Sequence, residues 1–113
     1  MITIRIATVE DAESIQKIYA PYVLNTTITF ELEPPTVKEM ADRISHTLEK
    51  YPYLVAVEEG DVIGYAYAGT LYDRRAYDHS AELSIYIDDK KRHKGIGHLL
   101  YNALINYLTR MNI

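Results

Sequence analysis

The residues best suited to chemistry lie in one stretch, Asp88-Asp89-Lys90-Lys91-Arg92-His93-Lys94-Gly95-Ile96-Gly97-His98. Lys90, Lys91, Arg92 and Lys94 surround a pair of glycines, and an amphipathic pattern starts directly after them. The first turn of a helix carries N–H groups with no intrahelical acceptor and a partial positive charge, so it favours anions. Gly95 and Gly97 lack a Cβ and let a bulky phosphate reach the main chain. A phosphate-bearing ligand is the natural guest. Two familiar phosphate loops do not fit. No Gly-Lys-Ser/Thr occurs, and Leu100 stands where the dinucleotide fingerprint has its third glycine.

Other polar residues are weaker candidates. Glu82 opens a strand pattern, Glu31 follows Phe30 in a loop, and Arg74 and Arg75 sit in a polar tract. Each also reads as an ordinary solvated side chain. Tyr67, Tyr72 and Tyr77 fit either a pocket wall or packing. The histidines (His46, His79, His93 and His98) show no spacing that holds a metal. The lysines from Lys90 to Lys94 lack interleaved aromatics, which argues against a nucleic-acid patch.

Stepping outward, the elements that position these residues follow from periodicity. Ile2, Ile4 and Ile6 alternate with Thr3 and Arg5, the mark of a strand with one apolar face. Thr8 with Asp11 resembles a capping box ahead of Ile15, Ile18, Tyr19, Tyr22 and Val23 at helical spacing. Pro21 is expected to kink or end that helix, leaving Asn25–Pro35 as a loop. Thr36 with Glu39 caps a second helix with a buried stripe of Met40, Ile44 and Leu48, and Pro52 stops it. Tyr53–Glu58 and Val62–Gly69 read as strands joined at Glu59-Gly60-Asp61. Thr70–Ala81 reads as a loop. Glu82–Asp88 follows as a strand, with Leu83, Ile85 and Ile87 on one face and Glu82, Ser84, Tyr86 and Asp88 on the other. Ile96, Leu99, Leu100, Ala103, Leu104, Tyr107, Leu108 and Met111 then keep a helical register. The order is β-α-α-β-β-β-α.

Length and composition bound the rest. The 113 residues suit one domain, 1–113, with 48% hydrophobic and 25% charged residues, an ordinary globular balance. Eleven Tyr accompany one Phe and no Trp, so some tyrosines are expected to line a half-polar cleft. A net charge of −4 argues against a nucleic-acid or anionic-membrane binder. The absence of Cys rules out disulfides and a Cys nucleophile, and fits the cytoplasm. No signal-peptide pattern and no bilayer-length apolar run occurs.

Arg92 to Gly97 matches R-x-x-G-x-G, which resembles the pyrophosphate loop of the GNAT acetyltransferase family. Its setting, after a strand and at the head of a long helix, matches too. So do Asn25-Thr26-Thr27 through Phe30-Glu31, Pro34-Pro35, Gly64-Tyr65-Ala66 and His79 through Ile87. Together they are similar to the phosphinothricin and methionine sulfoximine acetyltransferase branch, across essentially the whole chain. The resemblance implies an α+β, three-layer acyl-CoA N-acyltransferase fold with a mixed, mostly antiparallel sheet. It implies acetyl-CoA as co-substrate, no metal, a small-molecule amine as acceptor, no nucleic acid or membrane partner, and a homodimer.

Carried over residue by residue, the resemblance implies that Ile85, Tyr86 and Ile87 pair with the pantetheine arm as an added strand. A backbone N–H of this strand polarises the thioester carbonyl. Arg92, His93, Lys94, Gly95, Ile96, Gly97 and His98 hold the pyrophosphate. Acetyl transfer needs a neutral amine, and Glu82 matches the family's proton-accepting carboxylate. Phe30, Glu31, Arg74, Arg75 and Tyr77 fall where the resemblance places the acceptor, with one arginine gripping an oxyanion.

Family members continue past the last helix with a strand, an Asn-bearing helix and closing strands, and those elements are missing here. The expectation is a partial domain, weak or inactive as it stands. Two alternatives stay open: a module that holds CoA without catalysis, and a structural remnant.

Overall fold

Along Ile63-Gly64-Tyr65-Ala66-Tyr67-Ala68-Gly69, small residues alternate with tyrosines, and this alternation sorts the molecule into layers. In a strand successive side chains point to opposite faces, so one face of this segment is smooth and the other is aromatic. The computed structural model describes residues 2–25, 33–69, 82–88 and 95–111. The segment forms β3 (Asp61–Gly69) of a sheet whose other strands are β1 (Ile2–Ile6), β2 (Tyr53–Glu58) and β4 (Glu82–Ile87). The order is β1-β2-β3-β4, and every pairing among the described residues is antiparallel.

The β2–β3 hairpin turns on Glu59 (φ 52) and Gly60 (φ 85). Two central residues with positive φ match the right-handed twist of the strands they join, which accounts for Gly at the second position. The loop is tighter than the sequence implies, since Asp61 already pairs with Glu58. The register shifts between Ala56 and Val57, a β-bulge.

Helices α1 (Ala12–Asn25) and α2 (Val37–Leu48) cover the aromatic face, while α3 (Ile96–Arg110) covers the smooth one. Gly64 shows why the smooth face is needed. A Cβ there would lie 3.3 Å from Ile96 Cγ2, Leu100 Cδ1 and the Tyr86 carbonyl, so glycine lets α3 sit close against β3. Ile96, Leu100 and Leu104 are fully buried in that contact. Each such side chain contributes about 1.5–3 kcal/mol by leaving water.

Local polar ties set the other layer. The Arg5 guanidinium donates to both Asp11 carboxylate oxygens at 2.8 Å, and the Thr8 N–H donates to Asp11 Oδ2 at 2.8 Å. This fixes a single 3-10 turn, Val9–Asp11, that leads into α1. The expected capping box of α2 is present. Glu39 N–H donates to Thr36 Oγ1 at 3.1 Å and Thr36 N–H donates to Glu39 Oε1 at 2.8 Å.

Three readings of the sequence need correction. Pro21 does not end α1, which runs on to Asn25. Tyr22 and Val23 are buried against the sheet, and their burial outweighs the hydrogen bond that proline removes. Leu48 is exposed at the end of α2. On α3 the buried stripe narrows to Ile96, Leu100, Leu104 and Leu108, leaving Leu99 and Met111 exposed. The loop expected over 70–81 lies outside the described residues.

Candidate acyl-CoA site

The C-terminal end of β4 and the N-terminal end of α3 make the central feature of the site. Gly95 is the N-cap, with φ 72 and ψ 16, in the left-handed region that side chains other than glycine avoid. The first intrahelical bond runs from Leu99 N–H to the Gly95 carbonyl at 3.3 Å. The N–H groups of Ile96, Gly97 and His98 therefore precede any carbonyl the helix could offer them. Ile96 is buried and pins the turn, whereas His98 is exposed. Among the described residues a Cβ on Gly97 would meet only Ile87 Cδ1, at an ordinary 3.4 Å. Packing thus does not demand glycine there, and the missing Cβ opens the main chain to a ligand. This is the geometry an anion needs. Arg92, His93 and Lys94 lie outside the described residues.

The edge of β4 supplies the second part. Asp88 N–H donates to the Ile63 carbonyl at 2.9 Å. In an antiparallel ladder the main-chain groups alternate sides, so those of Tyr86 turn toward β3. Those of Leu83, Ile85 and Ile87 turn away from it, onto an edge with no neighbouring strand among the described residues. Of the three residues expected to meet a ligand strand, Ile85 and Ile87 present their main chain to it. Tyr86 instead offers its ring to the aromatic face, edge-on to Tyr19 and Tyr22 at 5.1 Å. The Ile87 carbonyl accepts a 2.8 Å hydrogen bond from the Tyr22 hydroxyl. Nothing in the sequence flagged that contact, because 65 residues separate the two.

Glu82 begins β4 opposite Gly69 and is exposed. It shares a face with Ser84 and Tyr86, as the alternation of the strand requires. Ser84 in turn sits opposite Tyr67. Phe30, Glu31, Arg74, Arg75 and Tyr77 lie outside the described residues, as do Tyr72 and His79.

The aromatic face is more ordered than the tyrosine count conveys. Tyr53 and Tyr67 stack with ring centroids 4.9 Å apart, and Tyr65 stacks on Tyr86 at 5.3 Å. Burial pushes the Tyr53 and Tyr65 phenols well above their ordinary range, so both stay protonated. The sequence signal for this cluster is tyrosine at positions 65 and 67, alternating with alanine and glycine. Among the described residues, no three His, Cys, Asp or Glu side chains gather as a metal site, and no helix is long and apolar enough to cross a membrane.

The chain matches the model of the acetyltransferase (GNAT) domain over residues 4–113. It is 36% identical over 104 residues to a phosphinothricin N-acetyltransferase of Streptomyces viridochromogenes, covering 92% of this chain and 57% of the relative. It is 32% identical over 109 residues to an L-methionine sulfoximine/L-methionine sulfone acetyltransferase of Salmonella typhimurium, covering 96% and 64%. Among solved structures, it superposes with a TM-score of 0.90 on a GNAT superfamily phosphinothricin acetyltransferase of Sinorhizobium meliloti in complex with AcCoA. The two share 44% identity, over 96% of this chain and 60% of that one. The chain thus spans less than two thirds of the length of these relatives. With a family match over nearly its whole length, and with the β4 edge and α3 turn in place, this chain belongs to the GNAT acetyltransferase family.

Proposed function

We propose that this chain carries the acetyl-CoA-binding part of an N-acetyltransferase whose acceptor is the amine of a small amino-acid-like molecule, of the phosphinothricin or methionine sulfoximine kind. One observation carries the reading. The N–H groups of Ile96, Gly97 and His98 stand directly beyond a strand edge on which Ile85 and Ile87 turn their main-chain groups outward. A diphosphate with an amide-bearing arm fits that pairing of features, the charge at the helix start and the arm along the edge.

Acetyl-CoA supplies a thioester, an acyl donor reactive toward a neutral amine. The residues of the chain bind and orient that donor and the acceptor amine. As the C–N bond forms the C–S bond breaks, and CoA leaves as a thiolate that takes up the second proton of the attacking amine. Main-chain N–H groups from His93 to His98 hold the diphosphate in this reading, with the Arg92 guanidinium at its rim. The outward edge of β4 aligns the arm, and an N–H on that edge stabilises the negative charge that builds on the carbonyl oxygen. Glu82 accepts the proton that an ammonium acceptor must lose, directly or through water. Phe30, Glu31, Arg74, Arg75 and Tyr77 belong to the acceptor side in this reading. A cysteine-free, acidic chain suits a cytoplasmic enzyme.

Calorimetric titration of the chain with CoA tests the reading, and absence of binding sinks it. Glu82→Gln is expected to lower thiol release by about 100-fold or more, with CoA affinity unchanged. Unchanged turnover removes Glu82 from its role. Tight CoA binding without any acetyl transfer supports instead a binding module.

A further inference from the structure

The aromatic face holds a recess of about 160 Å³ between α2 and the sheet. Arg43, His46 and Thr47 form its α2 wall, and Tyr53, Tyr65 and Tyr67 form its floor. Among the described residues no carboxylate lines it. A water molecule needs about 10–15 Å³ of such space, so the recess has room for a group of several heavy atoms.

Two of the floor residues are out of place as simple packing. Tyr53 and Tyr65 are 2% and 1% exposed. Neither hydroxyl has a hydrogen-bond partner among the described residues. A buried hydroxyl left unmet costs about 1–3 kcal/mol, and buried tyrosine hydroxyls ordinarily find a partner. Phenylalanine would fill the same volume, so two donors stand where the packing of the described residues does not need them. Arg43 lies close enough to bear electrostatically on the Tyr53 phenol.

We propose that this recess is a subsite for the oxyanion-bearing tail of the acceptor, with the Tyr53 and Tyr65 hydroxyls as donors and Arg43 supplying the field that selects negative charge. The proposal rests on the acetyltransferase reading for the identity of its occupant. Its location suits that role. Tyr67 lies opposite Ser84, two residues from Glu82 and on the same face of the sheet. Two residues of strand span about 7 Å, so the Tyr67 edge of the recess lies about one amino-acid length from Glu82, with Tyr53 and Tyr65 deeper in. Specificity then comes from α2 and the sheet floor, apart from the edge that holds the coenzyme.

Phosphinothricin and methionine sulfone make a matched pair of probes, alike in shape but with a negative charge on the phosphinate alone. Binding of each to the chain is measured by calorimetry, for the parent and for Tyr53→Phe/Tyr65→Phe and Arg43→Gln, beside melting curves without ligand. The parent is expected to prefer phosphinothricin by at least about tenfold, and both variants to lose about tenfold of that preference. The double-Phe variant is expected to melt no lower than the parent, because it removes two unmet buried hydroxyls. Equal binding of the two probes by the parent overturns the proposal, and so does a preference that survives in the double-Phe variant. A markedly lowered melting point overturns it too, by showing that the hydroxyls serve the fold. Acetyl transfer without phosphinate preference leaves the transferase and removes the subsite. Phosphinate binding that depends on Tyr65, in a chain that ignores CoA, leaves the subsite and removes the transferase.

Discussion

The two faces of the sheet are held by different forces. Under α3, glycine and alanine on β3 meet an aliphatic stripe repeated every four residues, and almost nothing polar intervenes. Under α1 and α2, tyrosines stack on one another, and the helices are tied in by Arg5–Asp11, the Thr36–Glu39 capping box and the Tyr22–Ile87 contact. The first face depends on area removed from water, which is indifferent to pH and nearly indifferent to direction. The second adds to its own buried apolar cluster a set of directional polar contacts, which place atoms accurately but titrate and compete with water. The aliphatic contact under α3 also fixes the turn at Gly95, because Ile96 is fully buried in it.

The largest effect should come from the aliphatic side. Leu104→Ala removes a fully buried side chain and is expected to cost about 2–5 kcal/mol in urea unfolding. A loss under 1 kcal/mol would show that α3 is less decisive than its burial implies.

A smaller effect separates the faces by pH. The Arg5 guanidinium, with help from Thr8 N–H, holds the Asp11 carboxyl below its ordinary range. A folded-state value below the unfolded one means that the stabilisation is fully present above the unfolded value, near about 3.9, and is lost as pH falls through the folded value. Acid should therefore loosen the α1 layer before the α3 layer, read as earlier loss of amide protection at residues 12–25 than at 96–110. Asp11→Asn is expected to cost about 1–2 kcal/mol at neutral pH and to flatten that acid dependence. Simultaneous loss of protection in both layers would erase the distinction.

The smallest effect concerns the place where the faces meet. Tyr22→Phe leaves the ring against Tyr86 and removes the donor to the Ile87 carbonyl, a change of about 0.5–1.5 kcal/mol. Hydrogen exchange near Asp88 would report whether the end of β4 frays without it.

The sequence revealed the frame where local rules are strong. Thr36 and Glu39 marked the start of α2 because a capping box satisfies two N–H groups over three residues. Leu83, Ile85 and Ile87 separated from Ser84 and Tyr86 because strand faces alternate. The glycine turn at 95–97 was legible for the same kind of reason. Pro21 left open whether α1 bends or stops, because propensity is local, while the burial of Tyr22 and Val23 that carries α1 past it is tertiary. Leu99 and Met111 fit a helical stripe but face outward, since periodicity names a face without saying how wide the covered part is.

What the chain specifies by itself is the order of elements, the two-faced character of β3 and β4, and a helix start that opens on two glycines. These depend on neighbours a few residues apart. Folding alone decided which β4 main-chain groups point outward, that Tyr22 reaches Ile87, and that Tyr53 and Tyr65 border a recess with Arg43. Each of those facts joins distant segments, which register and packing in three dimensions, encoded by no local pattern, bring together.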